Sequence, residues 1–298
     1  MSVVSTTSDP PLRPASTVIV LRDDPEGGPP DVFMVRRHQG TAFMGGAFVF
    51  PGGRVDASDR DTPDDRWCDE TALAAARFPD LPADEAIGYH VAAIRELFEE
   101  AGVLLARDGG GHFVSLTGAD AHSRFAKYRK ELHAERCTLR DVVEQEGLRL
   151  ALDALVPWAH WVTPAMETTR RFDTRFFLTR APERQAPAHD ETETTAGVWI
   201  SAPAAIARSK ADEIMLPPPT WTTLRELEPF ASVEAALTHA KGRPIVRREP
   251  MFLEQDGRRM LLLAGDPLNP EPLVEEMPLE TRFVFESEGV WRAARART

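Results

Sequence analysis

Two short runs of β-branched and apolar residues open the regular part of the chain: TVIVL (17–21) and VFMVR (32–36), separated by RDDPEGGPPD. The pattern predicts a strand, a turn-rich loop and a second strand. GGAFVFPGG (45–53) reads as a further strand bracketed by paired glycines. Regularity then breaks over residues 54–82, where acids mix with Pro63, Pro79 and Pro82, and an insertion with one short helix is expected. From Pro82, a residue suited to a first helical turn, Ile87, Val91, Ile94, Phe98 and Ala101 recur at alternating steps of four and three. That stripe predicts an amphipathic helix stopped at Gly102.

VLLA (103–106) reads as a strand, and the Lys-, Arg-, Glu- and Leu-rich stretch 119–155 as a second, mostly helical insertion. WAHWVTP (158–164) and RFDTRFFLTR (171–180) predict strands, and AGVWISAPAAI (196–206) a strand feeding a helix. A helix is expected after MLPPPTW (215–221), and another in FASVEAALTHA (230–240). EPMFLEQDGRRMLLLAGD (249–266) predicts two strands around Asp256-Gly257, a strong hairpin signal, with TRFVFESEGVW (281–291) available to pair. The order implies an α/β (α+β) fold. Its expected divisions are a flexible leader at 1–15, a main domain at 16–240, and a C-terminal hairpin extension at 241–298 packed on that domain.

At 298 residues and 42% hydrophobic, the chain can bury a sizeable core. No run approaches the roughly 18 apolar residues of a membrane helix, so no membrane partner is expected. The first residues lack a secretion signal, and Cys68 and Cys137 form no CxxC or Cys/His cluster. Free thiols in a reducing cytoplasm are the expectation, and the terminal RAARART gives no support for a peroxisomal address. The net charge of −12 excludes an extended nucleic-acid footprint. It leaves room for a small anionic substrate held by a divalent cation and a few arginines.

AAIRELFEEAG (92–102) carries the chemistry. It places Glu96, Glu99 and Glu100 on one helical face beside the negative end of the helix dipole. One reading is a solvated acidic face with a local Arg95–Glu99 pair. The other is a cage of hard oxygens for Mg2+ or Mn2+, close to the glycine-rich FPGG (50–53).

At these residues a resemblance emerges. GGRVDASD…RELFEEAGV is similar to the Nudix box, G-x5-E-x7-R-E-U-x-E-E-x-G-U with U a bulky aliphatic residue. Gly53, Arg95, Glu96, Leu97, Glu99, Glu100, Gly102 and Val103 match. Asp59 stands where the first glutamate is expected, and the following gap is stretched to residues 60–94. The split box resembles the Nudix subfamily of peroxisomal coenzyme A diphosphatases. So do GTAFMGGAFVFPGG (40–53), HWVTPAMETTRRFDTRFF (160–177), EIMLPPPTWTTLRELEPFAS (213–232) and LLLAGDP (261–267).

The resemblance implies a Nudix fold, a mixed sheet sandwiched between helices, and metal-dependent hydrolysis of a nucleotide diphosphate. By position, Glu96, Glu99 and Glu100 would bind Mg2+ or Mn2+, with the Gly52 carbonyl as a further ligand. Arg95 would orient the glutamates, and one glutamate, or a hydroxide on the metal, would activate water. The insertion puts the place of Asp59 in doubt. An extra acid from outside the box is sought in Glu191 or Glu193 of HDETET (189–194). Arg36, Arg37, Arg170 and Arg171 are candidates for substrate phosphates.

Trp158, Trp161 and Phe172 offer adenine stacking, with core packing the expected use. His38, His90 and His160 are expected to be structural. Coenzyme A or acyl-CoA is the expected substrate. ADP-ribose, NADH, nucleotide sugars and a non-catalytic nucleotide-binding role are the alternatives. The insertions could form a lid or a homodimer interface.

Overall fold

The apolar runs at the start of the chain build the middle of a sheet whose two faces are both covered. The computed structural model describes residues 10–40, 45–61, 64–165, 170–188, 194–273, 278–286 and 290–295. Strands β1 (Leu12–Arg22) and β2 (Asp31–Arg37) pair antiparallel. In β1, Val18 and Val20 join one core cluster while Ile19 and Leu21 join a second on the opposite face. A strand covered on both sides needs apolar residues at consecutive positions, which accounts for TVIVL.

β3 (Phe48–Val49) and β4 (Gly52–Arg54) follow, then β5 (Cys68–Asp69), α1 (Thr71–Ala76) and the long α2 (Ala83–Ala101). β6 (Ala106–Arg107) precedes α3 (Ala119–His133), α4 (Leu139–Glu146) and β7 (Arg149–Ala151). β8 (Val156–Val162), β9 (Arg171–Arg180) and β10 (Thr194–Ser201) return to the main sheet. Helices α5 (Ala202–Lys210), α6 (Pro218–Leu227) and α7 (Val233–Gly242) come next. β11 (Arg247–Arg248), β12 (Met251–Gln255), β13 (Arg258–Leu262), β14 (Arg282–Phe285) and β15 (Trp291–Ala294) complete the order.

The main sheet runs β10-β2-β1-β9-β8-β11, with β3 on β2 and β4 on β1. β1 and β9 are parallel, so the sheet is mixed. On one face α2 contributes Ile94, Leu97 and Phe98 to the cluster that holds Val18, Val20 and Phe177. On the other face Ile206, Leu224 and Val233 of α5, α6 and α7 cover Ile19, Trp158 and Leu178. Leu261 and Phe283 of the C-terminal β12-β13-β14-β15 sheet share that second cluster. The expected mixed sheet between helices is therefore the observed architecture. Among the described residues, no helix is long and apolar enough to cross a membrane.

Three local expectations are corrected. GGAFVFPGG is two short strands, broken at Phe50-Pro51, where the Pro51 carbonyl accepts from Val18 N–H (2.8 Å). VLLA is a buried, irregular segment, and strand geometry begins only at Ala106. The Gln185 side chain takes the place of a neighbouring strand: it accepts from Leu104 N–H (2.8 Å) and donates to the Leu104 carbonyl (2.9 Å). The stretch 119–155 is helical through α4 and then forms β7, which pairs with β5 from the first insertion and with β6. The two insertions thus meet in one small sheet.

His90 is a core residue of α2, as expected of a structural histidine. Its ring lies 5.4 Å from that of Phe78 and 4.7 Å from that of Phe177, and Nδ1 donates to the Ala86 carbonyl (2.9 Å). Burial pushes its pKa from 6.5 down to about 3. The unfolded chain therefore binds a proton that the native chain refuses, and stability should fall as pH drops from 6.5 towards 3. The expected slope is up to about 1.4 kcal/mol per pH unit from this group. Urea titrations over that range should show a shallower acid dependence for His90→Phe than for the wild type. Parallel curves would mean that His90 is not the group responsible.

Candidate active site

α2 ends where Gly102 adopts a left-handed conformation (φ +66°) and its N–H closes on the Phe98 carbonyl (2.9 Å). Just before that stop, one side chain organises the acids. Arg95 is buried, and its guanidinium donates in every direction. Nε bonds Asp59 Oδ1 (2.9 Å) and Nη2 bonds Asp59 Oδ2 (2.9 Å) and the Arg54 carbonyl (2.8 Å). Nη1 bonds both Glu96 Oε1 (2.9 Å) and Glu99 Oε1 (3.1 Å).

Asp59 is thus in place despite the insertion that follows it. It is 1% exposed and also accepts from Asp56 N–H (2.8 Å). The doubt attached to it from the sequence is resolved by a side-chain contact across 36 positions.

The glycine turn is built around the glutamates. A Cβ on Gly53 would lie 2.4 Å from Glu96 Oε1, so only glycine lets this carboxylate rest on the backbone. Gly52 N–H donates to Glu100 Oε2 (3.0 Å). β4 is held by β1 through the pairs Thr17↔Gly52 and Ser16↔Gly53.

One guanidinium thus serves three largely buried carboxylates. Burial, only partly offset by Arg95, pushes Glu96 up to about 7 and also raises Glu99 and Asp59. The cluster is short of positive charge. Among the described residues, however, no three His, Cys, Asp or Glu side chains converge on a point that could hold a metal ion. Arg95 Nη1 is instead the group shared by Glu96 and Glu99.

The family model for the NUDT19 Nudix domain matches residues 73–227. The chain belongs to the NUDT19 Nudix family. It is 31% identical to the human acyl-coenzyme A diphosphatase NUDT19, over 88% of this chain and 76% of that protein. The chicken protein of the same name is 30% identical, over 81% and 73%. Among solved structures, a NUDIX hydrolase from Alicyclobacillus acidocaldarius superposes with a TM-score of 0.62 at 28% identity, covering 77% of this chain and 96% of that one. The chain is accordingly a Nudix hydrolase, and α2 is its Nudix helix.

Around this Nudix helix the remaining candidates separate. Val35 and Phe33 of β2 face the α2 cluster while Val32 and Met34 face the other. By strand alternation Arg37 shares the glutamates' face and Arg36 the opposite one. Arg36 Nε is buried with no hydrogen-bond partner among the described residues.

Arg171 is engaged elsewhere. Its guanidinium is bound to Glu249 (2.6 Å) and to the Thr163 carbonyl (3.0 Å). It pairs with Leu12, whereas Gly52 pairs with Thr17, which puts it about 17 Å along the sheet from the glycine turn. Arg170, just before β9, is exposed. Glu191 and Glu193 lie outside the described residues.

Trp158 and Trp161 are core residues, as expected, and Phe172 is half-buried on β9. His160 bonds Asp173 (2.8 Å), and His38 Nδ1 accepts from Gly40 N–H (3.0 Å).

The sequence reading missed two residues at the site. Arg129 Nε and His133 Nε2 of α3 both reach the Glu99 carbonyl, at 2.6 and 3.1 Å. Nothing local signals them, because they come from the second insertion.

Asp59→Ala should remove two hydrogen bonds from the Arg95 guanidinium, which keeps Glu96 and Glu99, and lower stability by about 2 kcal/mol. Urea denaturation at neutral pH measures this, and an unchanged midpoint would mean that the Asp59–Arg95 pair is not a structural tie.

Proposed function

We propose that this chain hydrolyses the diphosphate of coenzyme A and acyl-CoA, giving 3′,5′-ADP and (acyl-)phosphopantetheine. The observation that carries the reading is the under-compensated carboxylate cluster seated on Gly52–Gly53. It occurs in a chain whose relatives, matched over most of their length, are named acyl-coenzyme A diphosphatase.

By chemical type the donor set suits Mg2+ or Mn2+, although in this structure the described carboxylates gather on Arg95 and do not converge on one point. Its atoms are hard carboxylate oxygens, and the charge deficit around Arg95 is what a divalent cation would relieve. Glu96, Glu99 and Glu100 would hold the ion, with the Gly52 carbonyl as a further donor. When bound, such a cation polarises phosphate oxygens and acidifies water.

The chain's own groups supply the rest. Water attacks one phosphorus, the bond from that phosphorus to the bridging oxygen breaks, and the second phosphate leaves with the electron pair. Glu96 or Glu99 takes the proton from the attacking water. Arg95 keeps the two carboxylates in register, and Arg37, on the glutamates' face, meets a substrate phosphate. The free thiols Cys68 and Cys137 support a reducing compartment, and we place the protein in the cytoplasm.

Turnover should be measured on coenzyme A, acetyl-CoA, ADP-ribose, NADH and a nucleotide sugar with Mg2+ or Mn2+. Coenzyme A or acetyl-CoA should give the highest kcat/KM, and Glu96→Gln should fold normally and lose at least about 100-fold in kcat. A preference for ADP-ribose or NADH would move the substrate assignment within the same chemistry. Inertness towards every compound would favour a nucleotide-binding role without catalysis.

A further inference from the structure

The helix that interrupts the strand pattern at 119–133 ends on the Nudix helix. Arg129 Nε donates to the Glu99 main-chain carbonyl (2.6 Å) and His133 Nε2 donates to the same oxygen (3.1 Å). Arg129 Nη2 also donates to the Ala188 carbonyl (2.9 Å), while Ala188 N–H donates to the Ala101 carbonyl (2.9 Å). A Cβ on Gly102 would lie 3.2 Å from Arg129 Nη1, so the glycine that stops the helix also admits this side chain. Phe125, one turn before Arg129, packs edge-on against Phe98 (6.2 Å).

The last carbonyls of a helix have no partner within it, and they concentrate partial negative charge. Here acids occupy that end as well, so donors from elsewhere are needed to hold the turn. α3 supplies them at one residue. Glu99 is consequently held at three points: its carbonyl by Arg129 and His133, Oε1 by Arg95 Nη1 (3.1 Å), and Oε2 facing His133 Nδ1 at 3.6 Å. Both Glu99 and His133 side chains are largely buried, at 12% and 17% exposure, so the contact is sheltered from water.

We propose that His133 is a positioning residue for Glu99, and that the second insertion completes the active site rather than merely decorating the domain. Arg129 supports the same turn from the backbone side. The inference rests on the reading of Glu99 as a site carboxylate, and does not depend on which diphosphate is cleaved.

The test compares His133→Ala and His133→Gln with the wild type and with Lys127→Ala, an exposed position on the same helix. Three quantities are measured: melting temperature in EDTA, Mn2+ affinity without substrate by the electron paramagnetic resonance of free Mn2+, and kcat and KM on coenzyme A. His133→Ala should weaken Mn2+ binding by about 10-fold and lower kcat by a similar factor, with KM unchanged and only a small fall in melting temperature. His133→Gln, whose amide nitrogen can still donate to the Glu99 carbonyl, should recover most of both.

Wild-type Mn2+ affinity and kcat in His133→Ala would overturn the proposal. So would an equal loss in both variants tracking a large fall in melting temperature, which would mark His133 as structural only. If the wild type does not turn over coenzyme A, the substrate reading fails, and the Mn2+ comparison still decides the role of His133.

Discussion

The acidic end of the Nudix helix depends on one guanidinium. Arg95 is buried among Asp59, Glu96 and Glu99 and is the only positive group that binds two of these carboxylates through a single nitrogen among the described residues. Burying carboxylates is costly unless they are paired and hydrogen-bonded. Arg95 meets part of that cost and also donates to the Arg54 carbonyl, so the charge pairing fixes β4 to the Nudix helix. What it leaves unmet is visible in the carboxylates themselves: burial still raises the pKa of Glu96 and Glu99 despite the shared guanidinium.

The glycine turn and the helix are adapted to one another at backbone level. Glu96 lies where any side chain at 53 would be, and Glu100 accepts from Gly52 N–H. β1 carries this arrangement by pairing with β4 on one edge of its length and with β9 along most of it. Because β1 is covered on both faces, its position is set by two cores at once, and the glycine turn inherits that rigidity. Precision at a reacting centre comes from such support on regular elements.

The interruptions of the family pattern are integrated parts of the fold. β5 from the first insertion and β7 from the second share a small sheet with β6, the strand that follows the Nudix helix. Phe125, Leu139 and Val142 of α3 and α4 lie in the same cluster as Ile94 and Phe98. α3 then delivers Arg129 and His133 to the end of α2, where the helix has carbonyls without partners. An isolated acidic helix terminus is unfavourable. In the folded chain it is stabilised by groups about thirty positions away.

The sequence by itself determined every major helix and most strands, because apolar residues at steps of three and four, or in short β-branched runs, leave few alternatives. It also pointed to the family: Arg95, Glu96, Glu99, Glu100 and the paired glycines form a recognisable spacing even when split. Tertiary structure decided the rest. That Asp59 stays with Arg95, that Arg171 belongs to Glu249, that VLLA is held by Gln185 instead of a strand, and that α3 caps the Nudix helix are contacts between residues distant in sequence. Local periodicity records which face of an element is apolar, whereas the partner of a buried charge is chosen by where the folded chain brings an opposite one.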